Sequence, residues 1–147
     1  MQVFIFVAGN LGAQTDIGCS ILNLSAYWTH FIIRYDSSGN CQWGKTFIAT
    51  YLFDMTIDKG NNVYFTGAFI GNGTFDTIII SNHGQQDIYL AKCNSNGTWD
   101  WAYSFGSNDI DQGYGVSADK FGHIFLTGYF QNSASFIDTT LVSTGSK

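Results

Sequence analysis

An all-β fold of short antiparallel strands is what this 147-residue sequence predicts, and three observations carry that expectation. Aromatic residues make up 17% of the chain and charged residues only 12%, about half the roughly 25% of an ordinary soluble domain. Glycine occurs 17 times and proline not at all, so turning falls to Gly, Asn and Asp, which reach turn conformations by other means than a fixed φ. No window shows apolar residues at helical spacing. Runs dense in aromatic and β-branched residues recur instead between turn signals.

The runs repeat. Ile5 to Leu11 is an apolar stretch with Gly9 near its end. Phe31-Ile-Ile-Arg34-Tyr-Asp36-Ser-Ser-Gly39-Asn-Cys41-Gln-Trp43 follows, and Phe47 closes it. Tyr51 to Ile57 reads as a first strand, and Asn62-Val-Tyr-Phe-Thr66-Gly67-Ala-Phe69 as a second. Thr77 to Ser81 is a weaker apolar run. Ile88 to Cys93 reads as a third strand and Trp99 to Phe105 as a fourth. Tyr114 to Ala118 then returns as a first strand and His123-Ile-Phe-Leu-Thr127-Gly128-Tyr-Phe130 as a second, with Thr139 to Ser143 as the weaker run. Gly128 follows Gly67 at nearly the interval by which Gly67 follows Gly9. The block from Phe31 to Trp43 matches Tyr89 to Trp101 at that same interval, with Arg34 over Lys92, Gly39 over Gly97, Trp43 over Trp101 and Phe47 over Phe105. Two separate blocks with nearly one period define an internal repeat.

The turns of this repeat have a mechanism. Asp36-Ser-Ser-Gly39, Asn94-Ser-Asn-Gly97 and Asp119-Lys-Phe-Gly122 all read Asp/Asn-x-x-Gly. The leading side chain can accept backbone N–H bonds, and the glycine can take a positive φ at no steric cost. Asp58-Lys-Gly-Asn61 is a variant with Asn in the glycine slot. Each period thus contains two tight hairpins, which link neighbouring antiparallel strands.

Four antiparallel strands in every repeat of this length form the pattern of a β-propeller blade. The expected architecture is all-β, with antiparallel four-stranded blades of an incomplete propeller, about two and a half blades in one unit over 1–147. The divisions are a partial blade at 1–50, a complete blade at 51–112 and a partial blade at 113–147. The period is long for a WD40 repeat, and the ordered Gly-His…Trp-Asp signature is absent. The ordered pattern Asp111-x-Gly113…Ala118-Asp119-x2-Gly122-x-Ile124-x2-Thr127-Gly128-x-Phe130, together with the Gly84 to Lys92 stretch, Asn96-Gly97 and a Trp, resembles the bacterial SBBP-type β-propeller repeat. The resemblance covers nearly the whole chain and is clearest from Asp54 to Phe130. The first repeat departs from it, with Val7-Ala8-Gly9-Asn10 in the Thr-Gly slot and Thr29-His30 where Asp and a hydrophobic residue would stand. The resemblance implies a propeller module of secreted or surface-attached proteins, extracellular or at the cell surface, with no catalytic signature of its own. The phase of the repeat leaves two expectations: a portion of a longer propeller, or copies that assemble as a homo-oligomer into a closed ring.

Charge and motifs exclude several classes. Six basic residues against 11 acidic ones, net −5, give no nucleic-acid footprint. A disordered segment would carry few aromatics and dense charge. No apolar run approaches the roughly 20 residues of a membrane span. Val3 to Ala8 lacks the flanks of a secretory signal. Cys19, Cys41 and Cys93 are odd in number and without a CxxC, so free thiols packed as small apolar residues are expected, with one bridge as the alternative.

Candidate site residues are few. Trp43 and Trp101 share a repeat slot and are expected to pack between blades. Trp28 and Trp99 have no counterpart in the repeat (Cys41 stands opposite Trp99), so they are the candidates for a ligand-binding surface. Asp109 and Asp111, before Gly113, form the chain's faint candidate for a calcium site, but the loop lacks the third ligand and the terminal Glu of an EF-hand, and turn capping is the expected use. His30, His83 and His123 lack metal-ligand spacing and read as exposed polar residues. Neither a nucleophile elbow nor a phosphate-binding glycine fingerprint is present, so no cofactor is expected. The expected function is a non-catalytic propeller module, an interaction or structural scaffold for a protein or glycan partner. The alternatives are a lectin-like propeller and a portion of a propeller hydrolase or lyase, whose chemistry would need paired carboxylates.

Overall fold

A computed structural model describes residues 3–144. Its strands, in chain order, are β1 (Phe4–Asn10), β2 (Thr15–Asp16), β3 (Ile21–Leu22), β4 (Thr29–Asp36), β5 (Cys41–Ile48), β6 (Tyr51–Ile57), β7 (Val63–Phe69), β8 (Asn72–Phe75), β9 (Ile78–Ser81), β10 (Asp87–Cys93), β11 (Trp99–Phe105), β12 (Gln112–Ala118), β13 (Ile124–Tyr129), β14 (Ser133–Phe136) and β15 (Thr139–Val142). Among the described residues there is no helix, and every ladder between these strands is antiparallel. The middle sheet has four strands in the order β11-β10-β7-β6. The first sheet has β1-β4-β5 and is extended at β5 by the β8–β9 hairpin through the pair Ile48↔Thr74. β12 and β13 form a third, two-stranded sheet. The helix-free, antiparallel architecture is consistent with a β-propeller-like fold.

The internal repeat is preserved down to its irregularities. Gly9 pairs with Phe31 as Gly67 pairs with Tyr89. The β4–β5 ladder slips between Arg34 and Tyr35, and the β10–β11 ladder slips at the same slot one repeat later, between Lys92 and Cys93. The β6–β7 ladder slips between Leu52 and Asp54, and the β12–β13 ladder one repeat later between Gly113 and Gly115. The weaker runs at Thr77 and Thr139 are the second arms of small hairpins. Their first arms, β8 and β14, hold too few apolar residues to stand out.

The hairpin turns close as Asx turns. Asp36 Oδ1 accepts from the amides of Ser38 and Asn40, at 2.9 Å each. Asn94 Oδ1 accepts from Asn96 and Thr98, and Asp119 Oδ1 from Phe121 and His123. Gly39, Gly97 and Gly122 sit at φ 81, 82 and 91°, and Asn61 at 60° in the variant turn. A Cβ at Gly97 would also meet the Trp43 ring at 2.9 Å, so this turn is both left-handed and pressed against the neighbouring sheet.

The core lies between the first two sheets. Phe47 is in contact with four rings: His30 at 5.2 Å, Phe65 at 5.4 Å, Phe75 at 5.5 Å and Trp99 at 5.2 Å. Tyr89, Ala91 and Cys93 complete the cluster. Burial pushes the Cys93 thiol up to about 12, so it is a small apolar filler rather than a reactive group.

The cysteine expectation holds only for Cys93, which is free and buried. Cys19 and Cys41 are joined in a disulfide, with Cα atoms 5.6 Å apart. The reason lies in the first repeat. Cys41 occupies the slot of Trp99, and Phe31, Ile33 and Tyr35 occupy those of Tyr89, Ala91 and Cys93. In the middle sheet that face is covered by the first sheet. In the first sheet a flap carrying β2 and β3 covers it, and Leu11, Ile17 and Leu22 supply the apolar side chains. Gly44 makes room for the flap, since a Cβ there would run into Ile17 Cδ1. The flap is too short to hold itself down by strand pairing, and the disulfide pins it.

Two outcomes follow. Phe47→Ala should cost about 3–5 kcal/mol, the usual range for deleting a buried aromatic ring, read from urea unfolding. Reduction of Cys19–Cys41, which are 22 positions apart in the chain, should cost up to about 3 kcal/mol. Loss of amide-exchange protection should concentrate at Leu11, Leu22 and β5.

Candidate functional site

β6 begins the middle sheet and lies at its edge, and strand alternation sends Tyr51 and Phe53 to one face. Their rings stack at 5.5 Å with planes 5° apart. Trp28, in the segment leading to β4, lies 6.0 Å from Tyr51, and Tyr27 lies 4.8 Å from Trp28. On the far side Tyr114 of β12 lies 5.7 Å from Phe53. Five aromatic rings therefore form one ridge from the segment before β4 over β6 to β12, each between 38% and 86% exposed. A continuous exposed apolar surface is uncommon on a soluble chain and marks a contact face.

The backbone under the ridge is held tightly. The Trp28 carbonyl accepts from the Ala49 amide, and the Ala49 carbonyl takes a 2.9 Å hydrogen bond from His30 Nε2. Asp54, between the ridge strands, accepts from Val116 N at 2.9 Å and ties β6 to β12. On the Tyr114 side the rim is made of amides and a hydroxyl: Tyr114 Oη donates to Gln112 Oε1 at 2.6 Å, and Gln112 Nε2 donates to Gln86 Oε1 at 2.7 Å. Cavities of about 400 Å³ beside Tyr27 and Trp28 and about 320 Å³ beside Phe53 flank the ridge. Apolar ring faces with an amide and hydroxyl rim suit apolar or planar groups of a partner.

Trp28 thus stands in an exposed surface. Trp99 does not: it is 6% exposed and packs 4.9 Å from Phe75, as a core residue between two sheets. Trp43 packs against the core, and Trp101 packs on Tyr64 and Tyr103. Sequence reasoning misses the other ridge residues, although a signal exists. Tyr51 and Phe53 stand two apart in one strand, and Tyr114 falls in the slot of Phe53 one repeat later.

Asp111 is fully buried. Its Oδ2 accepts from Ser107 N at 2.7 Å and Ser107 Oγ at 3.0 Å, and its Oδ1 from Gln131 N at 2.8 Å. It therefore ties two loops, as Thr50 does one repeat earlier by accepting from Ile70 N. Asp109 Oδ2 accepts from Asn132 Nδ2. Among the described residues no three His, Cys, Asp or Glu side chains gather as a metal site.

A cavity of about 550 Å³ has His83, Ser104 and Ser107 in its lining. Asp87 lies buried beneath, and its Oδ2 accepts from both His83 Nδ1 and Ser104 Oγ. Both partners bond one carboxylate oxygen, so the histidine does not stand between serine and aspartate as proton relay requires. Asp87 and Asp111 flank Gly106, where a Cβ would meet Asp87 Cγ at 2.7 Å and Asp111 Oδ2 at 2.9 Å. Both carboxylates are 0% exposed, out of a substrate's reach.

Of the histidines, His30 is buried at 2% exposure, against the expectation of an exposed residue, because its slot faces Phe47 across the first sheet. His83 and His123 each bond an aspartate four residues away.

No family model matches the chain. An uncharacterized WD repeat-containing protein of Acanthamoeba polyphaga mimivirus is 25% identical over 131 residues, an alignment covering 77% of this chain and 9% of that protein. The chain therefore spans less than a tenth of the length of the curated relative it matches. WD repeats build β-propellers. No helix among the described residues is long and apolar enough to cross a membrane.

Burial lowers the pKa of His30 below its ordinary 6.5, against the raising effect of its bond to Ala49. As pH falls the unfolded chain therefore takes the proton first. The stability that His30 contributes is complete above about 6.5 and is lost as pH falls toward the lowered folded value. Thermal midpoints should drop between pH 7 and 5, and His30→Gln, which keeps a donor but does not titrate, should flatten that decline.

Proposed function

We propose that this chain is part of a β-propeller scaffold that binds a protein partner through the aromatic ridge of Tyr27, Trp28, Tyr51, Phe53 and Tyr114. One observation carries the reading: the ridge takes rings from the segment leading into β4, from β6 and from β12, so it exists only because these parts of successive repeats are held side by side. The WD-repeat relative supports a propeller used as a scaffold. In this reading the β6-β7-β10-β11 sheet is a complete four-stranded blade, and the sheets before and after it are neighbouring blades. The repeated bulges and Asx turns support an SBBP-type repeat in particular. The Cys19–Cys41 bridge supports an oxidising compartment, as at a cell surface or outside the cell.

The test compares the chain with a Trp28→Ala/Phe53→Ala double variant. Both side chains stand in solvent, so the variant should keep its circular dichroism and lose no more than about 1 kcal/mol of stability. Cross-linking in extract of the source organism, read by mass spectrometry, should give a protein partner with the parent chain and none with the variant. Equal recovery by both, or recovery abolished by simple sugars, would overturn the reading, the second in favour of a glycan platform.

A further inference from the structure

The cavity of about 550 Å³ beside β11 has a wall of three side chains that offer hydrogen-bond acceptors and no donors. Two buried acids arrange this. Asp87, at the start of β10, and Asp111 are both 0% exposed. The single hydroxyl proton of Ser104 goes to Asp87 Oδ2 at 3.2 Å, and that of Ser107 goes to Asp111 Oδ2 at 3.0 Å. His83 Nδ1 lies 3.0 Å from the same Asp87 oxygen. A carboxylate only accepts, so in the neutral imidazole this nitrogen carries the proton and Nε2 keeps a lone pair. His83, Ser104 and Ser107 all line the cavity.

Among the described residues no lysine or arginine lines it. Asp87 Oδ1 is buried and has no hydrogen-bond partner. It lies 2.8 Å from the point where a Cβ on Gly106, itself part of the lining, would stand, and Asp111 Oδ2 lies 2.9 Å from the same point. A buried carboxylate with an unpaired oxygen is costly, and the joint is made without one in the preceding repeat. There Thr29 begins β4 in the slot of Asp87, and Ser25 stands in the slot of His83. Thr29 Oγ1 accepts from Ala26 N at 3.0 Å, much as Asp87 Oδ2 accepts from His83 N. Thr50 takes the slot of Asp111. In that repeat the space beside the small hairpin is also spanned, by an ion pair of Lys45 and Asp76 at 3.5 Å. Their counterparts Tyr103 and Ile137 are exposed and line the cavity instead.

We propose that this cavity binds a primary ammonium group, carried by a lysine side chain or by a free alkylamine. An ammonium has three N–H donors and no acceptor, which matches a wall of three acceptors. A sugar hydroxyl would bring acceptors that these three side chains cannot serve. The two carboxylates do not touch the ligand. They hold the serine protons turned away from the cavity, and their charge, set in a poorly solvated place, favours a cation above them. Tyr103, half-exposed in the lining, offers a ring face to the alkyl chain or to the charge. The acceptors lie between residues 83 and 107, in loops tied together by the Gln86↔Ile110 bridge, so the wall is built within the middle repeat. The site goes beyond the scaffold reading and uses no residue of the ridge.

The test titrates the full chain with pentylamine and with N-acetyl-lysine methylamide, read by amide chemical shifts. Saturable shifts at His83, Ser104 and Ser107 with either compound support the inference, and the tighter of the two names the source, a free amine or a protein lysine. 1-Pentanol should give none. Pentyltrimethylammonium, which keeps the charge but has no N–H, should bind at least tenfold more weakly. Asp87→Thr, which installs the residue of the preceding repeat, and His83→Ala, at a largely exposed side chain, should each keep a dispersed spectrum and weaken binding at least tenfold. The Trp28→Ala/Phe53→Ala variant should bind pentylamine as the parent does. Absence of saturable binding, equal binding of the alcohol or the trimethylammonium compound, undiminished binding by both cavity variants, or loss of binding in the ridge variant overturns the inference. So does calcium or glucose moving the same amides in place of the amine, because the occupant is then a metal ion or a sugar.

Discussion

Sheets that are apolar on both faces must be covered on both faces, and in this chain the cover is aromatic. Phe47 is the point where that requirement is met. It projects from the first sheet into rings of its own sheet, of the next sheet and of the β8–β9 hairpin between them. The alternative to this joint is exposure of Phe65, Phe69, Phe75, Tyr89 and Trp99 together. Each fully buried ring is worth roughly 1.5–3 kcal/mol in transfer energy alone, so no set of surface hydrogen bonds in the hairpins could offset their release. The order of the sheets, the placement of the small hairpins and the burial of His30 all follow from keeping that joint closed.

The low charge follows from the same requirement. A strand with water on one face alternates apolar and polar residues, but β7 is buried at every position, and such a strand has no place for a charge. Polar duty moves to the turns, where Asp36, Asp58, Asn94 and Asp119 commit their side chains to backbone amides. The hydrogen bonds that Asp58 receives from Asn62, Tyr64 and Gly60 outweigh the burial that opposes them, and its carboxyl lies below the usual range. Asp119, bonded by His123, is lowered as well. These carboxylates are turn parts, and their perturbation carries no catalytic meaning.

How much of this is legible in the sequence depends on whether the interaction repeats. The turns are legible because Asx-x-x-Gly is a local device, and the strands because the same aromatic slots recur once in every repeat. What does not recur is not legible. The Cys19–Cys41 bridge occurs once, where a flap replaces a neighbouring sheet, and no second copy of the pattern announces it. Trp99 is misread for the same reason. Its partner in the alignment is Cys41, which makes it look free of the repeat's core, although the two residues occupy one slot covered from one side by different means. The ridge is hidden by a different fact. Tyr51, Phe53 and Tyr114 have the same side chains as the core, and sequence alone does not separate an aromatic facing a neighbouring sheet from one facing water.

That separation is decided by position within the sheet. β7 and β10 are inner strands, and their faces meet the first sheet on one side and β12 on the other. β6 and β12 are edge strands, and half of their side chains point past the end of the neighbouring sheet. An aromatic placed there gains no cover from the repeat. It packs on the next exposed ring along the same line, as Tyr51 stacks on Phe53 and Phe53 meets Tyr114 at a tilt. Stacking of this kind contributes about 0.5–1.5 kcal/mol per pair, less than burial would. A ridge of exposed rings therefore adds little to stability for the apolar area it leaves in water, and the recurrence of an exposed ring at one slot of the repeat, Phe53 and then Tyr114, supports the proposed contact with a partner. The core and the ridge are thus one residue class under two boundary conditions: where the repeat supplies a neighbour the ring closes the fold, and where it does not the ring stays in water.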